Sequence, residues 1–339
     1  MIKLSVLDQS PVRSGGTPAQ AIEETIRLAQ KAESLGYSRY WLAEHHGTDG
    51  FAGSSPEILV TRVAAATKQI RVGSGGVMLS HYSPLKVAEN FSLLENMFPD
   101  RIDLGIGRAP GSDGLTAAAL AYGNQLGIEY FPTKIADMTA FLAGQPPASE
   151  PFKNVRATPL APSLPEVWLL GSSYQSAAYA AHFGLAYSFA HFITPYESEA
   201  LINQYRNNFR PSPVMKEPRV NLGVFVICAD TTEEAEHLAA SRDYWRLKLS
   251  QGQHLPYISP EEALSYPYTQ QELSAIKQNK VNRIVGDPKY VKAQLEELAS
   301  CHSADELVIL TITYDFASRL HSYELIAQAF ALQAREIAA

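Results

Sequence analysis

Three consecutive residues, Glu44, His45 and His46, carry the side chains best suited to acid–base chemistry, and they follow a predicted strand. A histidine can donate or accept a proton near neutral pH, and it can also bind a metal ion. Because neighbouring residues on a strand point to opposite faces, at most one of the two histidines faces a site while the strand stays regular. Either histidine could instead serve packing alone.

A phosphate site is indicated by two further segments. Arg108 follows a glycine-flanked strand end, where a guanidinium can reach a phosphate with little backbone crowding. Gly171, Ser172 and Ser173 precede a helical pattern, and free N–H groups at a helix N-terminus bind anions. Arg108 could also form a surface ion pair, and Ser172 could simply cap the turn that contains Gln175. Together with an acid–base histidine, the two segments predict a phosphorylated cofactor.

Gly75 and Gly76 interrupt an apolar run of the third predicted strand. Glycine weakens a strand interior, and it often marks a bulge or the close approach of a ligand to the backbone. We therefore expect a bulge or a flat ligand here. Curvature of the sheet is the alternative.

The elements that must position these residues alternate between short β-branched runs and helical periodicity, which is typical of βα units around a parallel sheet. Eight runs of this kind predict an α/β protein with a (βα)₈ TIM barrel, and a doubly wound sheet is the alternative. The predicted strands are 2–7, 38–43, 70–77, 101–106, 166–171, 185–190, 219–228 and 306–312. In such a barrel the site forms at the C-terminal ends of the strands, where the residues above lie.

Helix starts are indicated where a hydroxyl residue precedes proline, because the hydroxyl can cap and proline suits the first helical position. Four examples at predicted strand-to-helix junctions are Thr17-Pro18, Ser55-Pro56, Ser83-Pro84 and Thr194-Pro195.

Two segments interrupt the alternation within a single predicted domain, 1–339. Residues 145–165 contain six prolines and predict an ordered insertion after unit four. Residues 250–282 are polar and predict a long lid-like loop after strand 7.

Composition limits the possible partners. The net charge of -7 repels nucleic acid and anionic membrane surfaces, so neither is expected as a partner. The first strand is too short for a signal peptide, and no apolar stretch approaches a membrane span, which favours the cytoplasm. Cys228 and Cys301 show no metal spacing and are interpreted as two core thiols.

The sequence resembles the bacterial luciferase-like flavin monooxygenase family from the first strand to about residue 200. The resemblance lies in residues 41–46 (WLAEHH), 72–79 (VGSGGVML), 89–94 (ENFSLL) and 105–108 (GIGR). It implies the same (βα)₈ barrel, a small organic substrate, O2, and FMN as reduced FMNH2, which a separate NAD(P)H:flavin reductase supplies.

The resemblance also assigns expected roles. His45 would assist proton transfer near the flavin, and His191 would line its ring. Gly75, Gly76 and Met78 would lie beside the ring at a bulge that often carries a non-proline cis peptide. The phosphate would be bound by a set of residues at two strand ends, namely Arg108, Gly171, Ser172 and Ser173.

Departures from the family pattern keep alternatives open. Gly107 replaces a reactive cysteine of luciferase, and Pro110 cannot donate a backbone N–H to the phosphate, so light emission is not expected. An F420-dependent oxidoreductase of the same fold, a flavin-binding protein without catalysis and a metal-dependent hydrolase using His45, His46 and His81 are the other hypotheses. The alanine-rich faces of the second and third helices, with Ala64 among them, suggest a homodimer.

Overall fold

The structure is a computed structural model, and it describes residues 2–109, 111–122 and 128–334. Strands and helices alternate along the chain, as the sequence predicts. The elements are β1 (Lys3–Asp8), α1 (Pro18–Leu35), β2 (Arg39–Leu42), α2 (Pro56–Ala66), β3 (Arg71–Met78), α3 (Pro84–Met97), β4 (Ile102–Gly107), α4 (Gly114–Ala121), α5 (Phe131–Leu142), β5 (Glu166–Gly171), α6 (Tyr174–Phe183), β6 (Ala186–Ala190), α7 (Ser198–Asn208), β7 (Val220–Cys228), α8 (Thr232–Ser250), α9 (Pro260–Ser265), α10 (Gln270–Asn279), β8 (Arg283–Gly286), α11 (Pro288–Cys301), β9 (Glu306–Leu310) and α12 (Phe316–Ala329).

Eight parallel strands close into a barrel in the order β1-β2-β3-β4-β5-β6-β7-β9, and β9 pairs back with β1. These are the eight strands predicted from the sequence, each with ends within two residues of the prediction. The (βα)₈ barrel is therefore confirmed, and the doubly wound sheet is excluded. All C-terminal strand ends consequently lie at one mouth of the barrel.

A ninth strand, β8, was not predicted. It pairs in parallel with the second half of β7, from Phe225 to Cys228. Only Ile284 and Val285 of its four residues are strongly apolar, so the run is too short to stand out by periodicity.

The predicted helix starts are correct at three of four positions. Thr17 caps α1 through its side chain, whereas α2 and α3 begin after Ser55 and Ser83 without a side-chain cap. The start at Thr194 is wrong, because α7 begins at Ser198. The hydroxyl of Thr194 instead lies 3.3 Å from that of Ser172, which follows the adjacent strand β5.

The two predicted insertions differ in character. Residues 145–165 are irregular except for a short 3₁₀ turn at Glu150–Phe152. The segment 250–282 is not one long loop, because it contains α9 and α10. Each of these helices begins with a complete capping box, from Ser259 and Thr269. Ser259 followed by Pro260 has the same form as the helix starts named in the sequence analysis, so this signal was present in the sequence and was missed.

Charged residues fill the N-terminal end of the barrel. Arg39 is buried at the start of β2 and contacts Asp103 at 2.7 Å and Glu306 at 2.9 Å. Arg71 binds the other oxygen of Asp103, and Glu166 joins the same cluster. These side chains lie at or near the starts of β2, β3, β4, β5 and β9, so ion pairs close the interior of the barrel at this end.

Two smaller expectations can be compared with the structure. Cys228 is buried as predicted, but Cys301 is exposed at the end of α11, so the interpretation of both as core thiols is wrong. No helix within residues 2–109, 111–122 and 128–334 is long and apolar enough to cross a membrane.

Candidate active site

The predicted site residues lie at the C-terminal ends of five neighbouring strands, β2 to β6. Strand register brings the backbones together, because Met78 pairs with Gly107 and Gly107 with Leu170. Arg108 and Gly171 therefore follow directly opposed positions on adjacent strands, which lie about 5 Å apart in a sheet. The sequence-predicted residues thus share one mouth.

His45 lies just beyond β2 and is half-buried. Its backbone N–H donates to the Gly53 carbonyl at 2.9 Å, and its ring packs against Phe51 with centroids 4.6 Å apart. Nδ1 is buried without a hydrogen-bond partner among the residues that the structure describes. Burial, and then the neighbouring charge of His46, lowers the pKa of His45 to about 4. The imidazole is therefore neutral at physiological pH.

His46 occupies a different environment, held by Glu44. Nε2 of His46 lies 2.8 Å from Oε1 of Glu44, which also accepts a 2.6 Å hydrogen bond from the Tyr82 hydroxyl. The other Glu44 oxygen accepts from the backbone N–H of Met78 at 2.9 Å. Glu44 therefore ties the loop after β2 to the end of β3, and His46 is committed to that network.

Gly75 and Gly76 are joined by a non-proline cis peptide bond, which the resemblance led us to expect. The pairing of β3 with β4 shifts register between Ser74 and Val77, which confirms the predicted bulge. Added side chains would not fit, because a Cβ on Gly76 would lie 2.8 Å from the carbonyl oxygen of Gly105. Whether this bulge contacts a ligand stays a prediction.

Arg108 follows β4 at the mouth and is partly buried. Its guanidinium has no ion pair or hydrogen bond to any described residue, so the alternative of a surface ion pair finds no support within that part of the chain. A Cβ on the preceding Gly107 would meet only Sδ of Met78, at 3.7 Å, among the described atoms. Open space therefore lies over the end of β4. Pro110 lies outside the described residues.

Ser173, and not Ser172, caps α6. Its hydroxyl accepts the N–H of Ser176, and the Ser176 hydroxyl accepts the N–H of Ser173 in return. The alternative that Ser172 caps this turn is therefore wrong. Ser172 is left with only the 3.3 Å contact to Thr194. A side chain on Gly171 would collide with Ser176, with contacts of 2.6 Å.

His191 follows β6, and its ring lies edge-on to that of His302, with centroids 6.0 Å apart. Its Nδ1 is buried and unpartnered among the described residues. Burial, and then the charge of His302, lowers the pKa of His191 to about 4. His191 is therefore a second neutral imidazole, and its ring is directed toward His302, which lies between α11 and β9.

A cavity of about 380 Å³ opens at the same mouth, on the side of β1, β6, β7 and β9. None of the nine predicted site residues lines it. Its wall includes Arg242, Trp245 and Arg246 of α8 and Tyr257 of the following segment. The sequence analysis named neither arginine, because an arginine on a helix is usually solvated.

A larger groove of about 990 Å³ lies at the opposite end of the barrel, beside α5 and the starts of β5 and β7. Barrels of this fold form their sites at the C-terminal mouth, and the N-terminal end contributes to stability. The groove is lined by residues at the starts of β5 and β7, whereas the predicted site residues lie toward the other ends of their strands. We therefore place the site at the mouth.

The metal alternative finds no support in the geometry. Within the described ranges there is no group of three or more histidine, cysteine, aspartate or glutamate residues placed to hold a metal ion. Nε2 of His46 instead lies 2.8 Å from Glu44 and 3.5 Å from the Tyr82 hydroxyl.

Comparison with known proteins adds a family and several relatives. Residues 2–302 match the family model described as luciferase-like monooxygenase. An N-acetyl-S-alkylcysteine monooxygenase of Bacillus subtilis is 38% identical over 97% of this chain and 98% of its own length. The crystal structure of apo-MsnO8 is 40% identical, has a TM-score of 0.91 and covers 99% of this chain and 100% of its own.

Two more distant structures share the fold alone. One is the oxygenating constituent of 3,6-diketocamphane monooxygenase of Pseudomonas putida in complex with FMN. It has a TM-score of 0.68 and 20% identity, and the match covers 96% of this chain and 97% of that chain. The other is an F420-dependent secondary alcohol dehydrogenase, with a TM-score of 0.72, 13% identity, and 98% of this chain and 99% of its own covered.

Proposed function

This chain belongs to the luciferase-like monooxygenase family, and from that membership we propose that it uses reduced FMN and O2 to oxygenate a small organic substrate. The observation that carries the proposal is Arg108, a guanidinium without a protein partner among the described residues. The residue before Arg108, Gly107, pairs with Leu170 of β5, and β5 leads directly to Ser172. A phosphate would supply the missing acceptor for both.

The residues at the mouth fit a flavin in three respects. Arg108 and Ser172 would hold the phosphate, at the N-terminal side of α6, where helix N–H groups favour an anion. The bulge at Gly75 and Gly76 would lie against the flat ring, and Met78 would flank it. When bound, reduced FMN would supply the electrons that activate O2.

His45 is the residue to which we assign proton transfer. Its ring is neutral, since its pKa is lowered to about 4 by burial and by His46. It can therefore accept a proton at its unprotonated nitrogen from a group bound in the mouth, in a site from which Phe51 helps to exclude water. His191, with a similarly lowered pKa, would line the flavin ring on the opposite strand ends.

FMN is favoured over F420 by the pattern of the relatives. The relative with 38% identity and a stated activity is a monooxygenase, whereas the F420-dependent structure is 13% identical and shares the fold alone. A separate flavin reductase would supply FMNH2 in the cytoplasm. A homodimer through α2 and α3 stays our expectation, and Leu93 of α3 is 48% exposed.

The test is an anaerobic titration of the protein with photoreduced FMN, followed by admission of air. We expect Arg108→Ala to weaken FMN binding about 10- to 100-fold, because a charge-assisted hydrogen bond is worth about 1.5–3 kcal/mol. Arg62→Ala, which removes an exposed arginine of α2, is the matched control and should leave binding unchanged. His45→Ala should bind FMN but change the rate at which the bound flavin is reoxidised.

Two results would contradict the proposal. If neither redox state of FMN binds, the cofactor assignment fails, and the same titration with F420 becomes the next experiment. If FMN binds but His45→Ala reoxidises it as the wild type does, with no oxygenated product from either, a non-catalytic flavin-binding protein is the better description.

A further inference from the structure

The cavity at the mouth has an unusual charge balance. Its wall is largely apolar, from Phe192, Phe225, Trp245, Leu310 and Ile312, which come from several strand ends and α8. Two arginines of α8 also line it, and no described residue of the lining is an aspartate or glutamate. A cavity with two guanidinium groups and no carboxylate is complementary to an anion.

The two arginines are poorly compensated. Arg242 is 2% exposed, lies 3.3 Å from Asp243 and sits over the Phe225 ring at 4.3 Å. Asp243 is shared with Arg283, at 3.2 Å. Arg246, one helical turn from Arg242, has no hydrogen bond or ion pair to any residue in the described ranges. Arg283 has Glu236 as a second partner, at 2.8 Å. Asp243 is therefore the one carboxylate beside Arg242, and Arg246 faces the cavity without an ion pair to any described residue.

Electrostatics supports this reading of the geometry. Burial, and then repulsion from Arg246, lowers the pKa of Arg242 to about 10. Burial likewise lowers the pKa of Arg246. Holding two like charges in one apolar wall costs free energy, which an anionic ligand would recover.

The cavity is also close to the site of the proposed chemistry. The rings of Trp245 and Tyr257, both in its wall, stack with centroids 5.1 Å apart. Both also contact Phe51, at 5.4 Å and 6.1 Å, and Phe51 packs directly against His45. A ligand in the cavity is therefore separated from His45 by two layers of aromatic side chains, first Trp245 with Tyr257 and then Phe51.

We propose that this cavity binds the substrate, and that the substrate is a small organic acid whose carboxylate is held by Arg246 and Arg242. The apolar remainder would pack against Phe225, Leu310 and Ile312, toward the mouth. The volume, about 380 Å³, is near the lower end of the range for small-molecule pockets and so fits a small acid. The statement that this ligand is the molecule oxygenated rests on the proposed function. The selection of an anion by the cavity is independent of that function.

The test is calorimetric binding of two matched probes, 4-(methylthio)butanoate and its primary amide, to the full-length protein. The probes differ in charge but hardly in shape. We expect the carboxylate to bind at least about tenfold more tightly, and Arg246→Met to abolish this preference. Arg246→Lys should keep part of it, since a lysine retains the charge but not the planar fork. Lys289→Gln, at an exposed lysine on α11, removes the same charge away from the cavity and should have no effect.

FMN binding is measured on the same variants, because the arginines could instead serve the phosphate of the flavin. Unchanged FMN affinity in Arg246→Met, together with a lost carboxylate preference, supports the proposal. Loss of FMN affinity comparable to that of Arg108→Ala would overturn it, as would equal binding of acid and amide, or no binding of either probe at millimolar concentration. Failure of FMN to bind the wild type would instead overturn the proposed function, and the probe preference would still decide the nature of the cavity.

Discussion

Acidification should destabilise this protein through His45, and the size of the effect follows from its burial. The folded pKa is about 4, against an ordinary value of 6.5, because the buried ring loses the hydration of its charged form and lies near His46. A depressed folded pKa means that the unfolded chain binds the proton more tightly. The stabilisation is therefore complete above about pH 6.5 and is lost as the pH falls toward 4.

The magnitude can be worked out from these two values. Between about pH 7 and about pH 4.5, the unfolded state gains nearly a full proton at this position while the folded state gains only a small fraction. By linkage, the free energy of unfolding falls by about 2 kcal/mol on account of His45 alone. Other groups titrate in the same range, so only the difference between the wild type and a variant isolates this contribution.

The assay is urea unfolding of the wild type and His45→Asn at both pH values. We expect the variant to lose about 2 kcal/mol less than the wild type on acidification. His254→Asn, at an exposed histidine of the segment after α8, is the matched control and should lose as much as the wild type. If His45→Asn and the wild type lose stability equally, His45 is not held neutral by burial, and the proton-accepting role assigned to it fails as well.

Three further predictions concern stability and are checked by urea unfolding at neutral pH. Gly73→Ala should lower the free energy of unfolding by about 3 kcal/mol, because the added Cβ would lie 2.2 Å from the Asp103 carbonyl oxygen. Gly114→Ala is the control and should lower it by nothing measurable, because no described atom lies within 4 Å of the added Cβ. Equal effects would refute the steric argument. Asp103→Asn should lower the free energy of unfolding by about 3–5 kcal/mol, because it removes one of the carboxylates that compensate the buried Arg39. A change below about 1 kcal/mol would show that the cluster is well hydrated. Ser259→Ala should cost about 1 kcal/mol through loss of the α9 cap, and an unchanged midpoint would mean that this helix does not unfold with the barrel.

The sequence predicted the barrel well because each of its eight main strands is a buried apolar run between polar connections. It predicted the cis bulge at Gly75 and Gly76 only through resemblance, since two glycines alone are equally consistent with barrel curvature. Ser173 was confused with Ser172 as the cap of α6 because a one-residue change in the helix start exchanges the two roles.

The cavity could not have been predicted from local patterns. Its wall joins Gln9 after β1, Phe192 after β6 and Ile312 after β9 to residues of α8 and Tyr257. These positions are separated by up to several hundred residues, and only closure of the barrel and folding of the segment 250–282 bring them together. Arg246 is inconspicuous in the sequence, because an arginine on a helix is usually solvated. What distinguishes it is the lack of a described partner, which only a structure can show.

The buried and half-buried charged groups at the two ends of the barrel differ in whether they have partners within the protein. At the N-terminal end the buried guanidinium of Arg39 is matched by Asp103 and Glu306, so this arginine needs no ligand as a partner. At the mouth, Nδ1 of His45 is buried without a partner among the described residues. Arg246 faces the cavity without an ion pair to any of them. Unsatisfied polar groups cost stability, and folded proteins retain them mainly where a ligand completes them. This contrast favours the mouth over the larger groove as the ligand-binding site. It also predicts that a ligand with a phosphate or carboxylate stabilises this protein against unfolding, whereas a neutral analogue does not.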